Sequence, residues 1–170
     1  MLPGYREWVP ALPDEAARRP ASAALTVGES REAEVLRRIL ARVPASAAAV
    51  LGAGDDAAVL SAGDGRVVIT TDLMIEGPDF RLAWSSPRDL ARKACASNLA
   101  DVAAMGATPT GITVALALPG ETEVSWVEEL AEGFAEGLAD MAPGCGVSGG
   151  DLATSEQLTI AITAFGDLGG

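Results

Sequence analysis

Two stretches of strict two-residue alternation, with a longer stretch at a three-to-four-residue beat between them, constrain this chain more than anything else in it. Ile112, Val114, Leu116 and Leu118 alternate with Thr113, Ala115 and Ala117. Leu158, Ile160, Ile162 and Ala164 alternate in the same way with Thr159, Ala161 and Thr163. That period places successive side chains on opposite faces of a strand. Between them Val124, Val127, Leu130, Phe134, Leu138 and Met141 recur at helical spacing. Strand, helix and strand in that order predict an α/β domain.

The remaining elements follow from local signals. Thr26 and Glu29 have capping-box spacing, and Val35, Leu36, Ile39, Leu40 and Val43 share a helical face that Pro44 ends. A short strand fits Ala57 to Leu60, and Gly63-Asp64-Gly65 reads as a turn. Arg66 to Thr71 is then a strand that Asp72 closes. Ser86-Pro87-Arg88-Asp89 opens a helix that runs to about Met105 and stops at Gly106. The expectation is four strands and three helices in one domain over 26–170. Residues 1–25, with Pro3, Pro10, Pro13 and Pro20 and no apolar period, read as a flexible leader.

Composition narrows the chemistry. Aromatic residues make up only 4% of a chain that is 49% hydrophobic, so the core is built mainly from Ala, Val, Leu and Ile. A formal net charge of −12 disfavours nucleic acid and anionic membranes as partners. There is no histidine, which removes the commonest general base and any His-ligated zinc. Cys95 and Cys145 stand outside any CxxC motif and read as two reduced thiols. No apolar stretch is long enough to cross a bilayer and no signal peptide is evident, so a cytoplasmic location is expected.

Acidic residues gather at four short segments: Gly54-Asp55-Asp56, Thr70-Thr71-Asp72, Asn98-Leu99-Ala100-Asp101 and Gly149-Gly150-Asp151. Asn98 and Asp101 lie three apart on a helix and share a face. Gly149 and Gly150 allow backbone to approach a ligand just before Asp151. Singly, an Asp after glycine is more often a turn residue than a ligand. Together the four segments suggest Mg²⁺, a hard cation that takes carboxylates, water and substrate phosphates. The sequence has neither GxxxxGK[ST] nor a GxGxxG that opens a helix after a strand. A nucleotide would therefore be held by metal ions and glycine-rich backbone.

These segments carry a family resemblance. Gly54-Asp55-Asp56-Ala57-Ala58-Val59 resembles the GDDAAV signature of thiamine-monophosphate kinases, and Thr70-Thr71-Asp72 through Glu76-Gly77-Pro78-Asp79-Phe80 resembles their TTDxxxEGxHF segment. Lys93-Ala94 through Asn98-Leu99-Ala100-Asp101-Val102-Ala103-Ala104-Met105-Gly106-Ala107 is similar to KAxxxNLSDxAAMGA, and Val147-Ser148-Gly149-Gly150-Asp151 to the VGGD turn. The resemblance runs in family order from about Thr26 to Gly170 and places the chain in the aminoimidazole-ribonucleotide-synthetase-like superfamily. It implies ATP-dependent phosphorylation of thiamine monophosphate to thiamine diphosphate. The implied Mg²⁺ residues are Asp56, Thr70, Thr71, Asp72, Asp101 and Asp151, with Gly150 and Asp151 at the nucleotide. No catalytic side chain is implied, because the acceptor is a phosphate already largely ionised at neutral pH. The implied fold is a four-stranded mixed sheet with helices on one face, two such sheets pairing into a dimer barrel.

Asp79 stands where the resembled family has a histidine that meets the substrate phosphate. It is thus the implied substrate-binding position, and a carboxylate there is expected to repel that phosphate. The family's C-terminal domain is expected to be absent from a chain that stops at Gly170. Two other readings are another ATP-dependent enzyme of the superfamily and a non-catalytic nucleotide-binding or dimerisation module.

Overall fold

Neighbouring strands of the main sheet are antiparallel except in the last pair, and that one parallel pairing needs a helical crossover. The structure, a computed structural model, describes residues 24–53 and 57–169. Three helices, α1 (Glu32–Leu40), α2 (Pro87–Ala104) and α3 (Val124–Met141), accompany six strands. These are β1 (Ala49–Leu51), β2 (Val59–Leu60), β3 (Val68–Ile75), β4 (Thr108–Leu118), β5 (Gly146–Thr154) and β6 (Thr159–Asp167). The main sheet has the order β3-β6-β4-β5, and β1 and β2 form a separate two-stranded sheet. Parallel β4 and β5 are joined through α3.

The expected α/β fold is present: a mixed four-stranded sheet with α2 against β3 and β6, and α3 against α2. The core lies between them. Ile112, Leu116, Ile160, Ile162 and Ala164 face Leu90, Ala94 and Val102 of α2, with Val127, Leu130 and Leu138 of α3 behind, all buried. The alternation that predicted β4 and β6 is the alternation of burial, since each Ile or Leu faces the helices.

Several boundaries differ from expectation. The Ala57–Leu60 strand shortens to Val59–Leu60 and sits in the small sheet. Its place in the main sheet goes to β5, whose Val147–Asp151 stretch reads from sequence as a turn. Asp72 does not close β3, because pairing with β6 continues to Ile75↔Thr159. As an edge strand, β3 tolerates a solvent-exposed carboxylate within its length. Thr26 does bond to Glu29, through both its N–H and its hydroxyl. That pair closes a turn before α1, which starts at Glu32, and Thr26 itself bridges to Glu123. The leader expected over 1–25 lies, but for its last two residues, outside the described residues.

α2 has the start its sequence predicts. The Ser86 side chain accepts from the Asp89 N–H, and the Asp89 carboxylate accepts from the Ser86 N–H. Such a cap is worth about 1 kcal/mol. The helix ends where Gly106 adopts φ +76°, a conformation that side chains with a Cβ rarely take.

Candidate functional site

The two motif segments on β3 and α2 are far apart in sequence and adjacent in space. Thr70 pairs with Ala164, Asp72 with Ile162 and Met74 with Ile160, so all three share the face on which the helices lie. α2 runs across that face, and its last full turn brings Asp101 to β3. The Thr70 hydroxyl donates to Asp101 Oδ2 at 3.2 Å. Asp72, two residues along the same face, is exposed like Asp101. A hydroxyl and two carboxylates therefore line one open rim, a hard-oxygen donor set that fits Mg²⁺ with water and phosphates completing its shell.

Thr71 faces the other way. Its hydroxyl donates to the Ile162 carbonyl at 2.8 Å and lies 3.2 Å from the Thr163 hydroxyl. Gly150 and Asp151 lie on β5, three strands from β3. At the usual strand spacing this is about 14 Å. Asp151 pairs with Ala115, which pairs with Ala161 and then Leu73, so it belongs to the helix-free face. Within one chain Asp72 and Asp151 thus stand on opposite faces and opposite edges. Among the described residues no three ionisable metal-ligating side chains converge. Asp55 and Asp56 lie outside the described residues.

At the β5 edge the chain encloses a cavity of about 1030 Å³. α1 contributes Leu36 and Ile39, α3 contributes Val127 and Phe134, and Gly149, Gly150 and Asp151 form part of its polar lining. Mostly apolar walls with a few polar groups are usual for a small-molecule site. Sequence reasoning missed this cavity, although α1 carried a signal: Leu36 and Ile39 repeat like core residues yet stay only partly buried.

Asp79 closes a turn on itself. Its Oδ2 accepts from the Ile75 N–H at 2.8 Å, while its own N–H donates to the Ile75 carbonyl. Lys93 Nζ donates to the Asp79 carbonyl at 2.7 Å. The carboxylate therefore has a local partner.

Residues 54–168 match the family described as AIR synthase related protein, N-terminal domain. Thiamine-monophosphate kinase of Mycobacterium tuberculosis is 41% identical over 145 residues, covering 85% of this chain and 43% of that protein. The crystal structure of thiamine-monophosphate kinase from Stenotrophomonas maltophilia is similar with a TM-score of 0.63 at 33% identity, over 81% of this chain and 41% of that one. The structure of AaThiL complexed with AMPPCP and TMP has a TM-score of 0.57 at 31% identity, over 66% of this chain and 35% of that one. The chain spans less than half the length of these relatives. By its matched domain and its fold, this chain belongs to the AIR synthase related family, and its relatives there are thiamine-monophosphate kinases.

Proposed function

We propose that this chain is the metal- and nucleotide-binding part of an ATP-dependent kinase that converts thiamine monophosphate to thiamine diphosphate. The observation that carries the reading is the Thr70–Asp101 hydrogen bond. It joins two motif segments at one open rim and adds Asp72 to their face. The relatives' names and the neighbour bound to AMPPCP and TMP supply the substrate pair.

Asp72 and Asp101 would hold Mg²⁺, whose positive charge would offset the negative charge that builds between donor and acceptor phosphates. The chain's own part is positional. Asp72 and Asp101 hold cations at the β3–α2 rim, with Thr70 fixing Asp101, while Gly150 and Asp151 take the nucleotide at the β5 edge. Asp56, Thr71 and Asp151 are the other members of the proposed metal set, Thr71 and Asp151 from the helix-free face. No side chain needs to remove a proton, since the acceptor phosphate is already an anion.

Homodimerisation belongs to the same reading. β3 and β5 are the two edges of the sheet, so joining two copies edge to edge is what brings an Asp72 near an Asp151. A cytoplasmic location fits a kinase drawing on soluble nucleotide, and no described helix is long and apolar enough to cross a membrane. The test is transfer of the ATP γ-phosphate to thiamine monophosphate, followed with labelled ATP for the chain joined to a relative's C-terminal part. Thiamine diphosphate that forms with Mg²⁺ and disappears in Asp101→Asn is the expected result. No transfer, with the fusion folded, would refute the activity.

A further inference from the structure

Unpaired positive charge is scarce in a chain whose formal net charge is −12. Arg37, Arg38, Arg42, Arg66, Arg88 and Arg92 each sit against a carboxylate. Arg81 and Lys93 make no such pair among the described residues, and both are exposed. They meet at one turn. Lys93 reaches it through the 2.7 Å hydrogen bond to the Asp79 carbonyl. Arg81 follows Asp79 by two residues, which keeps their Cα atoms within about 8 Å. Its guanidinium lies 4.6 Å from the ring centroid of Trp84, a side chain that is 76% exposed.

Two neighbouring carboxylates, those of Asp79 and Asp89, are turned to other work. Asp79 Oδ2 caps the Ile75 N–H, and Asp89 Oδ2 accepts from both the N–H and the hydroxyl of Ser86. Lys93 has two ammonium protons beyond the one given to Asp79. Arg81, stacked on an indole, keeps the edge of its fork free for hydrogen bonds in plane.

We propose that Arg81 and Lys93 form an oxyanion site for a phosphate monoester, with Trp84 as an aromatic wall for a ring attached to it. The site deepens the kinase reading above by naming cations that contact a phosphorylated substrate. It also makes Asp79 a turn residue and not the phosphate contact. The carboxylate closes the turn, and the turn presents its carbonyl to Lys93.

The experiment is an amide-resolved NMR titration of the whole chain at fixed ionic strength. Inorganic phosphate, thiamine monophosphate and unphosphorylated thiamine are added separately. The two phosphates should give saturable shifts at Asp79 to Trp84 and at Lys93, and thiamine should give none there. Lys93→Gln and Arg81→Gln should each weaken binding by about fivefold to tenfold, the loss of one charge-assisted contact. Both keep much of the apolar stem, and their spectra report directly whether the fold persists. Asp79→Asn should change affinity by less than about twofold, because an amide oxygen still accepts the Ile75 N–H.

Three results would overturn the proposal: no saturable shift in the unmutated chain, affinity in both Gln variants unchanged from that of the unmutated chain, or tightening of about tenfold in Asp79→Asn. The last would mean that the carboxylate faces the anion. A parallel titration with Mg²⁺ and AMPPCP reads the β3–α2 rim separately. Phosphate binding without nucleotide binding would count against the kinase reading and leave this site standing. The reverse would remove only this site.

Discussion

Cys95 and Cys145 are both buried and both free, as their spacing in the sequence predicts. Burial pushes the Cys95 thiol up to about 12 and the Cys145 thiol up to about 11. At pH 8 the folded chain should therefore react with an aromatic disulfide reagent at less than about a hundredth of the unfolded rate, since the thiolate is the nucleophile. Denaturant should release two reactive thiols. The same shifts make stability depend on pH. The folded thiols keep their protons at pH values where the unfolded thiols ionise. Their contribution is complete below about 9 and is lost as pH rises toward 11 and 12. Urea midpoints at pH 8 and pH 10.5 should show the fall. At Asp79, sequence reasoning saw a charge and its structural partner was invisible. The Ile75 N–H that holds the carboxylate becomes a neighbour only when the 75–79 turn closes.

Between elements, α2 and α3 pack too closely for a side chain at Gly133. A Cβ on Gly133 would come within 2.7 Å of Arg88 Cα and 2.9 Å of Ala91 Cβ. Since the first is backbone, the helices must move apart. Gly133→Ala should cost about 1–3 kcal/mol, the range for overpacking a tight core. Urea unfolding would measure it, and an unchanged midpoint would mean the helices are not so close. Elements with a periodic apolar face, α3, β4 and β6, were legible from sequence, and α2 was legible from its Ser86 cap and Gly106 stop. β5 was not, because Gly146, Gly149 and Gly150 give it no alternation and make it look like a turn. What makes it a strand is its neighbours. A Cβ at Gly150 would lie 2.0 Å from the Val114 carbonyl oxygen, and one at Gly146 would lie 2.2 Å from Ala45 backbone. Glycine is required there by pairing with β4 and by the chain before β1, and neither constraint is written locally. The rim was legible in part for the same reason. The helical spacing of Asn98 and Asp101 was visible, but which face of β3 carried Asp72 depended on a register set by β6.

For the whole molecule, the helix-free face of the sheet is the surface left to explain. Ile69 is 58% exposed and Leu73 is 53% exposed, and they share that face with Ala161, Thr163 and Phe165. An apolar sheet face of this kind is normally covered. In the proposed homodimer a second copy covers it, so sedimentation at micromolar concentration should give twice the chain mass. Leu73→Glu should return a folded monomer, whereas a monomeric unmutated chain would count against the pairing. The β3–α2 rim is proposed to hold the metal that holds the nucleotide. Thermal unfolding with AMPPCP, in Mg²⁺ and in EDTA, tests it most directly. A ligand at a hundredfold above its Kd stabilises by about 2.7 kcal/mol. The unmutated chain should show that gain in Mg²⁺ alone, and Asp72→Asn and Asp101→Asn should each lose it. A Mg²⁺-dependent shift of equal size in all three proteins would contradict the assignment.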